Sequence, residues 1–291
     1  MPRIPRYILM VLSCAALFSV VSCTVSSNGE NTTSPAPSVA PADSLSLRVA
    51  VLPIKECGIL SYAQESGLAD SMGLSMTLVP YQALMDIDTA ILSSQAHVYF
   101  EDSLRVCRIK EDSLRPSMLL PVPVKLSLIS NKDKTISQLH QLKTKMVGLT
   151  RWSQLEKWMN AMSASAGIDE SDIYHAQIND VALRANIVGG GLIDAGILPQ
   201  PWADSLLSMG HTLLEDTLLE GMGFYVAPSV QTDSLRKGQT ELLKKVYLEA
   251  LRKTEQTLPP CPSLYGGEYD VLGYMGQFIS GLWAMLLVMI L

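Results

Sequence analysis

The apolar residues of this chain follow two different spacings. Short runs rich in β-branched residues are typical of buried strands, whereas apolar residues at every third or fourth position are typical of amphipathic helices. In the first half, the pattern predicts strands at 47–53, 74–79, 96–100 and 122–129, and helices at 58–72, 86–94 and 102–115. Strands that alternate with helices form parallel sheets covered on both faces. This half therefore predicts an α/β unit with a parallel sheet.

The second half repeats the alternation. Strands are predicted at 145–149, 172–177, 195–198 and 223–226, and helices at 153–166, 181–188, 202–209 and 232–257. No sequence repeat of fixed period accompanies the two halves, so a solenoid is not indicated. The predicted fold class is α/β, with two units in succession.

The N-terminus has the organisation of an export signal. Arg3 and Arg6 precede an apolar run at 7–21, which is too short to span a bilayer, and small residues lead to Cys23. An ordinary signal peptide with a chance cysteine is one interpretation. The segment also resembles the bacterial lipoprotein signal, which implies cleavage before Cys23 and lipid on that cysteine. Residues 24–44 are rich in Ser, Asn, Thr, Pro and Ala, which predicts a flexible linker.

The C-terminal segment is unusually apolar. Residues 271–291 contain no charged side chain, and their length is that of a membrane span. Glycines and polar residues dilute the segment, and no basic residue follows it. Three interpretations stay open: a buried terminal helix, a weak membrane segment, or a truncated or frame-shifted end.

Composition and motifs narrow the function classes. The formal net charge of −6 does not favour nucleic acid as a partner. Cys57, Cys107 and Cys261 would remain after signal cleavage, which allows at most one internal disulfide. No phosphate loop, nucleophile elbow or zinc-protease helix is present, and the four histidines are scattered, so neither a metal nor a cofactor is expected.

One loop has the composition of an anion site. Thr150, Arg151 and Ser153 follow a predicted strand and open a predicted helix. A helix N-terminus offers unpaired N–H groups and partial positive charge, while the hydroxyls and the guanidinium add further donors. The alternative is that Ser153 merely caps the helix while Arg151 lies on the surface.

Several segments in a fixed order carry a family resemblance. They resemble the strand and loop, the "AGID" turn, the acidic or amide loop, the "GLIDA" element and the Pro-Trp pair of ABC-transporter solute-binding proteins. The family handles nitrate, sulfonates, taurine and thiamine-pyrimidine precursors. The segments are residues 145–153, 166–169, 177–180, 191–195 and 199–202. The first half, with LRVAVLP and the strand-rich stretch at 73–102, fits the same family.

The resemblance implies a type 2 periplasmic-binding-protein fold, with two doubly wound α/β domains joined by a two-segment hinge. The implied organisation is a signal peptide at 1–22, a lipidated linker at 23–44, a first domain at 45–129 with 226–291, and a second domain at 130–225. The implied function is capture of a small anionic or heterocyclic ligand for an ABC permease, without enzymatic activity, by an exported lipoprotein facing the periplasm or cell surface. Two alternatives stay open: an enzyme of the pyrimidine-precursor or menaquinone-pathway type, and a surface lipoprotein unrelated to transport.

By position in this fold, eight residues are candidates for the ligand site. They are Lys55, Gln82, Asp102, Thr150, Arg151, Ser153, Asn179 and Asp180. Departures from the family pattern leave the ligand open: Gln200 precedes the Pro-Trp pair, residues 95–97 replace a Gly-x-x-Asp turn, and Lys55-Glu56 replace small polar residues. Asp194 and Trp202 are expected to stabilise the fold, and Asp180 could equally cap a helix.

Overall fold

Two five-stranded sheets form the framework of the protein. A computed structural model describes residues 45–257. The predicted signal peptide with Cys23, the linker at 24–44, Cys261 and the tail at 271–291 lie outside the described residues. Across 45–257, no helix combines the length and the apolar character needed to cross a membrane.

Ten strands and nine helices are described in residues 45–257. The strands are β1 (Leu47–Val51), β2 (Met76–Pro80), β3 (Val98–Asp102), β4 (Ser117–Pro121), β5 (Val124–Ser130), β6 (Met146–Leu149), β7 (Tyr174–Gln177), β8 (Ala195–Pro199), β9 (Thr212–Leu219) and β10 (Met222–Val226). The helices are α1 (Lys55–Glu65), α2 (Leu68–Ser71), α3 (Leu84–Leu92), α4 (Ser103–Cys107), α5 (Gln154–Ser165), α6 (Val181–Gly189), α7 (Trp202–Ser208), α8 (Pro228–Gln231) and α9 (Ser234–Thr257). Short 3-10 turns lie at Lys132–Lys134, Leu139–Leu142 and Glu170–Asp172.

The two sheets have matching strand orders. The first is β2-β1-β3-β10-β4 and the second is β7-β6-β8-β5-β9. Among the described strands, four neighbouring pairs are parallel and four are antiparallel. The antiparallel pairs are those of β10 with β3 and β4, and of β5 with β8 and β9. The expectation of wholly parallel sheets is therefore corrected, because each sheet receives one reversed strand as the chain crosses over. We call each sheet, with the helices that connect its strands, a lobe.

Two adjacent chain segments connect the lobes. The chain crosses at residues 122–123 and returns at 220–221. The segments run side by side, since Pro121 pairs with Gly223, the Val122 N–H donates to the Met222 carbonyl at 3.0 Å, and Val124 pairs with Leu219. The crossings differ from the predicted boundaries at 129–130 and 225–226, so β5 lies in the second sheet and β10 in the first. The domain boundaries remain a prediction, and we propose that the domains meet at these two crossings.

Local chemistry explains where the helices differ from the predictions. The helix predicted at 58–72 is divided into α1 and α2 at Gly67, whose φ of 71° is in the left-handed region. The helix predicted at 102–115 ends at Cys107 and is followed by turns. Strands β4 and β9 were not predicted. Cys57 is buried and Cys107 exposed, and both are free thiols.

Candidate functional site

A small cavity lies between the lobes, at the carboxyl ends of several strands. Its volume is about 30 Å³, which suits a water molecule but not a solute of several heavy atoms. Most of its walls are apolar, and three polar side chains interrupt them. The lining residues are Leu52, Ile54, Leu84, Val124, Leu126, Thr150, Leu155, Asn179, Val181, Arg184, Pro199, Leu219 and Met222.

Arg184 places a buried positive charge at this cavity. The side chain lies on the inner face of α6, and the residue is 1% exposed. Its Nη1 donates to the Ile178 carbonyl at 2.6 Å and to the Thr150 hydroxyl at 3.1 Å, while its Nε has no hydrogen-bond partner. Within the described residues, no carboxylate lies at ion-pair distance from this guanidinium.

The Arg184 side chain packs against two glycines of the second sheet. Gly148 on β6 and Gly196 on β8 are paired across the second sheet. A Cβ at Gly148 would lie 2.7 Å from Ile193 Cδ1 and 3.3 Å from Arg184 Cγ. One at Gly196 would lie 2.6 Å from Val188 Cγ2 and 3.7 Å from Arg184 Cγ. The aliphatic stem of Arg184 therefore rests on a flat part of the sheet, and its charged end reaches the cavity.

Burial lowers the pKa of Arg184 to about 10, while nearby Asp180 opposes the shift. The side chain is still a cation at neutral pH. A buried charge without a counter-ion is unfavourable, and such charges are ordinarily paired. The cavity wall is therefore suited to an anion.

Thr150 and Asn179, both predicted site residues, lie beside Arg184. Thr150 is 2% exposed and accepts the Arg184 hydrogen bond. The buried Asn179 Oδ1 has no partner, and its Nδ2 lies 3.9 Å from the Met85 sulfur of the first lobe. An amide with an unpartnered atom can rotate to serve a ligand as donor or acceptor.

Asp102 occupies the anion position at the N-terminus of α5. Ser153, a predicted ligand residue for which capping was the alternative, caps this helix by accepting from the Leu155 N–H at 3.2 Å. The Gln154 N–H donates to Asp102 Oδ2 at 2.6 Å, while Oδ1 accepts from the Leu104 N–H at 2.8 Å. Burial raises the pKa of Asp102, and the N–H of Gln154 opposes that shift. A carboxylate of the first lobe thus binds the helix end at which an external anion was expected.

Arg151 lies away from the cavity. Its Nε is 2.9 Å from Glu156 Oε1, and its guanidinium lies 5.4 Å from the ring centroid of Trp152. Its backbone carbonyl accepts from Arg105 Nη1 at 3.1 Å, across the lobes. The structure places this predicted ligand residue at the outer rim, because Glu156, one turn into α5, holds it there.

Of the other three predicted residues, Lys55 and Gln82 make contacts between the lobes and Asp180 caps a helix. Lys55 is exposed, and its N–H donates to the Gln200 carbonyl at 2.9 Å. The carbonyl of exposed Gln82 accepts from the Val181 N–H at 3.3 Å. Asp180 caps α6 by accepting from the Leu183 N–H at 2.9 Å. None of the three side chains lines the cavity.

The two residues expected to stabilise the fold, Trp202 and Asp194, each accept or donate a hydrogen bond that links separate segments of the chain. The Trp202 indole N–H donates to the Pro53 carbonyl at 2.7 Å, across the lobes. Asp194 Oδ2 accepts from the Met146 N–H at 2.9 Å, at the start of β6. In the part of the chain that the structure describes, no three metal-binding side chains cluster together.

Comparison with known proteins identifies the fold. No protein-family model matches the sequence, and no curated protein matches it significantly. The periplasmic aliphatic sulphonate binding protein of Escherichia coli superposes with a TM-score of 0.58 at 15% identity, over 79% of this chain and 81% of that one. A Prochlorococcus marinus protein, solved in complex with methylphosphonate, gives a TM-score of 0.54 at 14% identity, over 80% and 98%. The chain has the periplasmic-binding-protein fold.

This fold also occurs beyond the sulphonate and phosphonate proteins. A Candida albicans gene product, described as defining a new family with the generic periplasmic binding protein structural fold, gives a TM-score of 0.55 at 12% identity, over 72% of each chain. The predicted fold class is confirmed by these neighbours. Identities this low establish the fold alone, so the function must be argued from the site.

Within the periplasmic-binding-protein fold, sequence reasoning missed Arg184. Its signal is a single charged residue on a helical face that is otherwise apolar. The other buried positions of α6 are Val181, Ala182, Ala185 and Val188. An arginine at a core-facing position is rare unless it is paired or functional.

Proposed function

We propose that this chain is the solute-binding component of an ABC importer and captures a small organic anion between its two lobes. The observation that carries the proposal is Arg184, a buried cation at the cleft without a carboxylate partner in the described residues. The fold supports it, since structural neighbours include a sulphonate binding protein and a protein complexed with methylphosphonate. We expect binding and release without chemical change.

The cavity chemistry defines the class of solute. An acidic group would accept from the unpartnered Nε of Arg184 and from the amide of Asn179. The apolar walls suit a short hydrocarbon body. A charge-assisted hydrogen bond contributes about 1.5–3 kcal/mol. A few such bonds with apolar burial suffice for micromolar affinity, which requires roughly 8 kcal/mol.

Binding requires the lobes to separate, because the closed cavity of about 30 Å³ is smaller than any such solute. The side-by-side segments at 122–123 and 220–221 provide a natural axis for this motion. Hinge closure around a ligand of this type is an established mode of domain motion. Closure would then present the loaded protein to its permease.

The test removes the charge of Arg184 and keeps its bulk. Small sulphonates, phosphonates and carboxylates should raise the melting temperature of the wild type, whereas Arg184→Met should show no such shift. Arg184→Lys, which retains the charge, should recover part of the ligand-induced rise in melting temperature. Arg252→Met is the matched control, because Arg252 pairs with Glu249 on the exposed side of α9. Equal stabilisation of the wild type and Arg184→Met would remove Arg184 from the site.

A second candidate is a surface lipoprotein that does not transport. It is favoured by the apolar cleft, since one cluster of buried residues runs from Val49 in the first sheet to Val147 in the second. Such a protein would stay closed. If no anion shifts its melting temperature and its radius of gyration is constant by X-ray scattering, this candidate replaces the importer.

We also propose the predicted anchoring by lipid on Cys23, with residues 24–44 as the linker. A tether of this kind raises the effective concentration of a binding protein at a membrane partner. The permease and the membrane are accordingly the proposed partners, with the protein outside the cytoplasm.

A further inference from the structure

A larger groove lies at the mouth of the cleft, apart from the cavity at Arg184. Its volume is about 410 Å³, within the roughly 300–1,000 Å³ that ligand pockets span. Both lobes contribute to it: Arg105 and Arg108 come from the first lobe, and Trp152 and Gln177 from the second. The groove and the cavity adjoin where Met85, which lines the groove, contacts Asn179, which lines the cavity.

Trp152 is held with its ring toward this groove in an unfavourable backbone conformation. Its φ of 56° lies in the left-handed region, where a bulky residue is an outlier. Glu156 Oε2 stabilises this arrangement by accepting from the Trp152 N–H at 2.6 Å. The residue is 50% exposed, although an indole gains by burial. Strained residues of this kind concentrate at binding sites.

The groove also holds a net positive charge, although Asp88 interacts electrostatically with both Arg105 and Arg108. Arg105 is paired with Asp88. The guanidinium of Arg108 instead lies 5.2 Å from the Trp152 ring centroid, and no described carboxylate is within ion-pair distance of it. Lys110 and Glu111 also line the groove. With the Arg105–Asp88 pair set aside, Arg108 and Lys110 each contribute a positive charge and Glu111 contributes a negative one. The groove therefore has one net positive charge, in a chain whose formal charge is −6.

We propose that this groove binds a planar aromatic anion, with its ring against Trp152 and its acidic group on Arg108. Indole rings stack on flat rings, and an arginine fork matches a sulfonate, carboxylate or phosphate. Because Trp152 and Arg108 belong to different lobes, a ligand that bridges them binds the closed protein. The site shares no lining residue with the Arg184 cavity, so the inference goes beyond the proposed function.

The test uses naphthalene-2-sulfonate as the probe, measured by titration calorimetry on the full chain. Cyclohexanesulfonate supplies the charge without the aromatic ring, and 2-naphthylmethanol supplies the ring without the charge. We expect the wild type to bind naphthalene-2-sulfonate at least about tenfold more tightly than either analogue, as one charge-assisted contact or one stack implies. Comparable binding of all three compounds, or no binding of the probe, would overturn the proposal.

Four variants locate the site. Arg108→Ala and Trp152→Leu should each weaken probe binding by about tenfold or more. Arg252→Ala, the same substitution on the exposed side of α9, and Arg184→Met at the cavity should leave it unchanged. Near-identical melting temperatures would establish that the variants fold. If binding is lost in Arg184→Met and kept in Arg108→Ala, the probe occupies the cavity: that result supports the proposed function and refutes the groove.

Discussion

Glu101 is a fully buried carboxyl group at the end of β3. Its Oε1 accepts from the Asp102 N–H at 2.8 Å, its Oε2 has no partner, and Arg105 Nε is 3.8 Å away. Burial raises the pKa of Glu101 well above its usual value, and neighbouring Asp88 adds to the rise. The folded protein therefore keeps a proton that the unfolded chain releases. The associated stability is complete below the unfolded pKa of 4.5 and is lost as pH rises through the folded pKa.

Glu101→Gln should remove the loss of stability that accompanies ionisation of Glu101 as pH rises. We expect the free energy of unfolding of the variant to exceed that of the wild type by a margin that widens as pH rises above about 4.5. Urea denaturation between acidic and neutral pH measures the margin. Glu241→Gln, at an exposed carboxylate on α9, is the matched control for loss of one negative charge. A margin that is independent of pH would contradict the assignment to Glu101.

A residue of the candidate site could be predicted when its position depends on neighbouring residues in the sequence, and not when it depends on distant ones. Thr150 and Asn179 lie at the cavity because each follows a strand that ends there, and strand ends are visible in the sequence. Arg151 could not be placed, since its orientation depends on Glu156 and on the left-handed turn at Trp152. Arg184 packs against Gly148 and Gly196, which belong to separate strands, and only the fold reveals that these two residues are paired.

At the scale of elements, buried segments were the predictable ones. Central strands such as β1 and β3 read as apolar runs because both faces are covered. Strands β4 and β9 lie at sheet edges and are partly exposed. β9 mixes polar with apolar residues, and β4 is a short run that ends in proline, so neither sequence has a clear period. Two Asp-Ser-Leu triplets begin helices in the structure, since Asp102 and Asp233 each accept a backbone N–H two residues onward.

The pairing of β10 with β4 depends on a glycine. A Cβ at Gly223 would lie 2.4 Å from the Leu120 carbonyl oxygen, which is backbone and cannot move aside alone. We expect Gly223→Ala to lower the free energy of unfolding by about 1–3 kcal/mol. Gly238→Ala is the matched control, since α9 leaves open space there, and should raise it by roughly 0.5–1 kcal/mol. Urea denaturation of both variants measures the contrast, and equal shifts would contradict this account of Gly223.

At the scale of the whole molecule, the fold class followed from the alternation of elements, but strand direction did not. Periodicity reports which face of a strand is buried and carries no sign of its direction. The reversed strands β5 and β10 arise because the chain crosses between lobes twice. The predicted domain boundaries therefore differ from the crossings at 122–123 and 220–221 by several residues.

The proposed tether is also a property of the whole molecule. Cys23→Ser should move the full-length protein from the membrane fraction to the soluble fraction, because the lipid would have no thiol to bond. Cell fractionation with metabolic labelling by palmitate measures both effects. The wild type should carry label and the variant should not. A variant that stays with the membrane would contradict the lipid as the means of attachment and direct attention to residues 271–291.

The carboxylate of Asp102 at the start of α5 has a consequence for selectivity. Because it belongs to the same chain, it meets the Gln154 N–H at a high local concentration and acts as a built-in competitor. Inorganic phosphate or sulfate that reaches this helix end encounters an occupied donor and a like charge. If Arg184 binds an organic anion as proposed, the start of α5 would be closed to mineral anions, while the Arg184 cavity would stay open to an acid that also fills its apolar walls. Discrimination between nutrients and salts would then rest on one side chain of the opposite lobe.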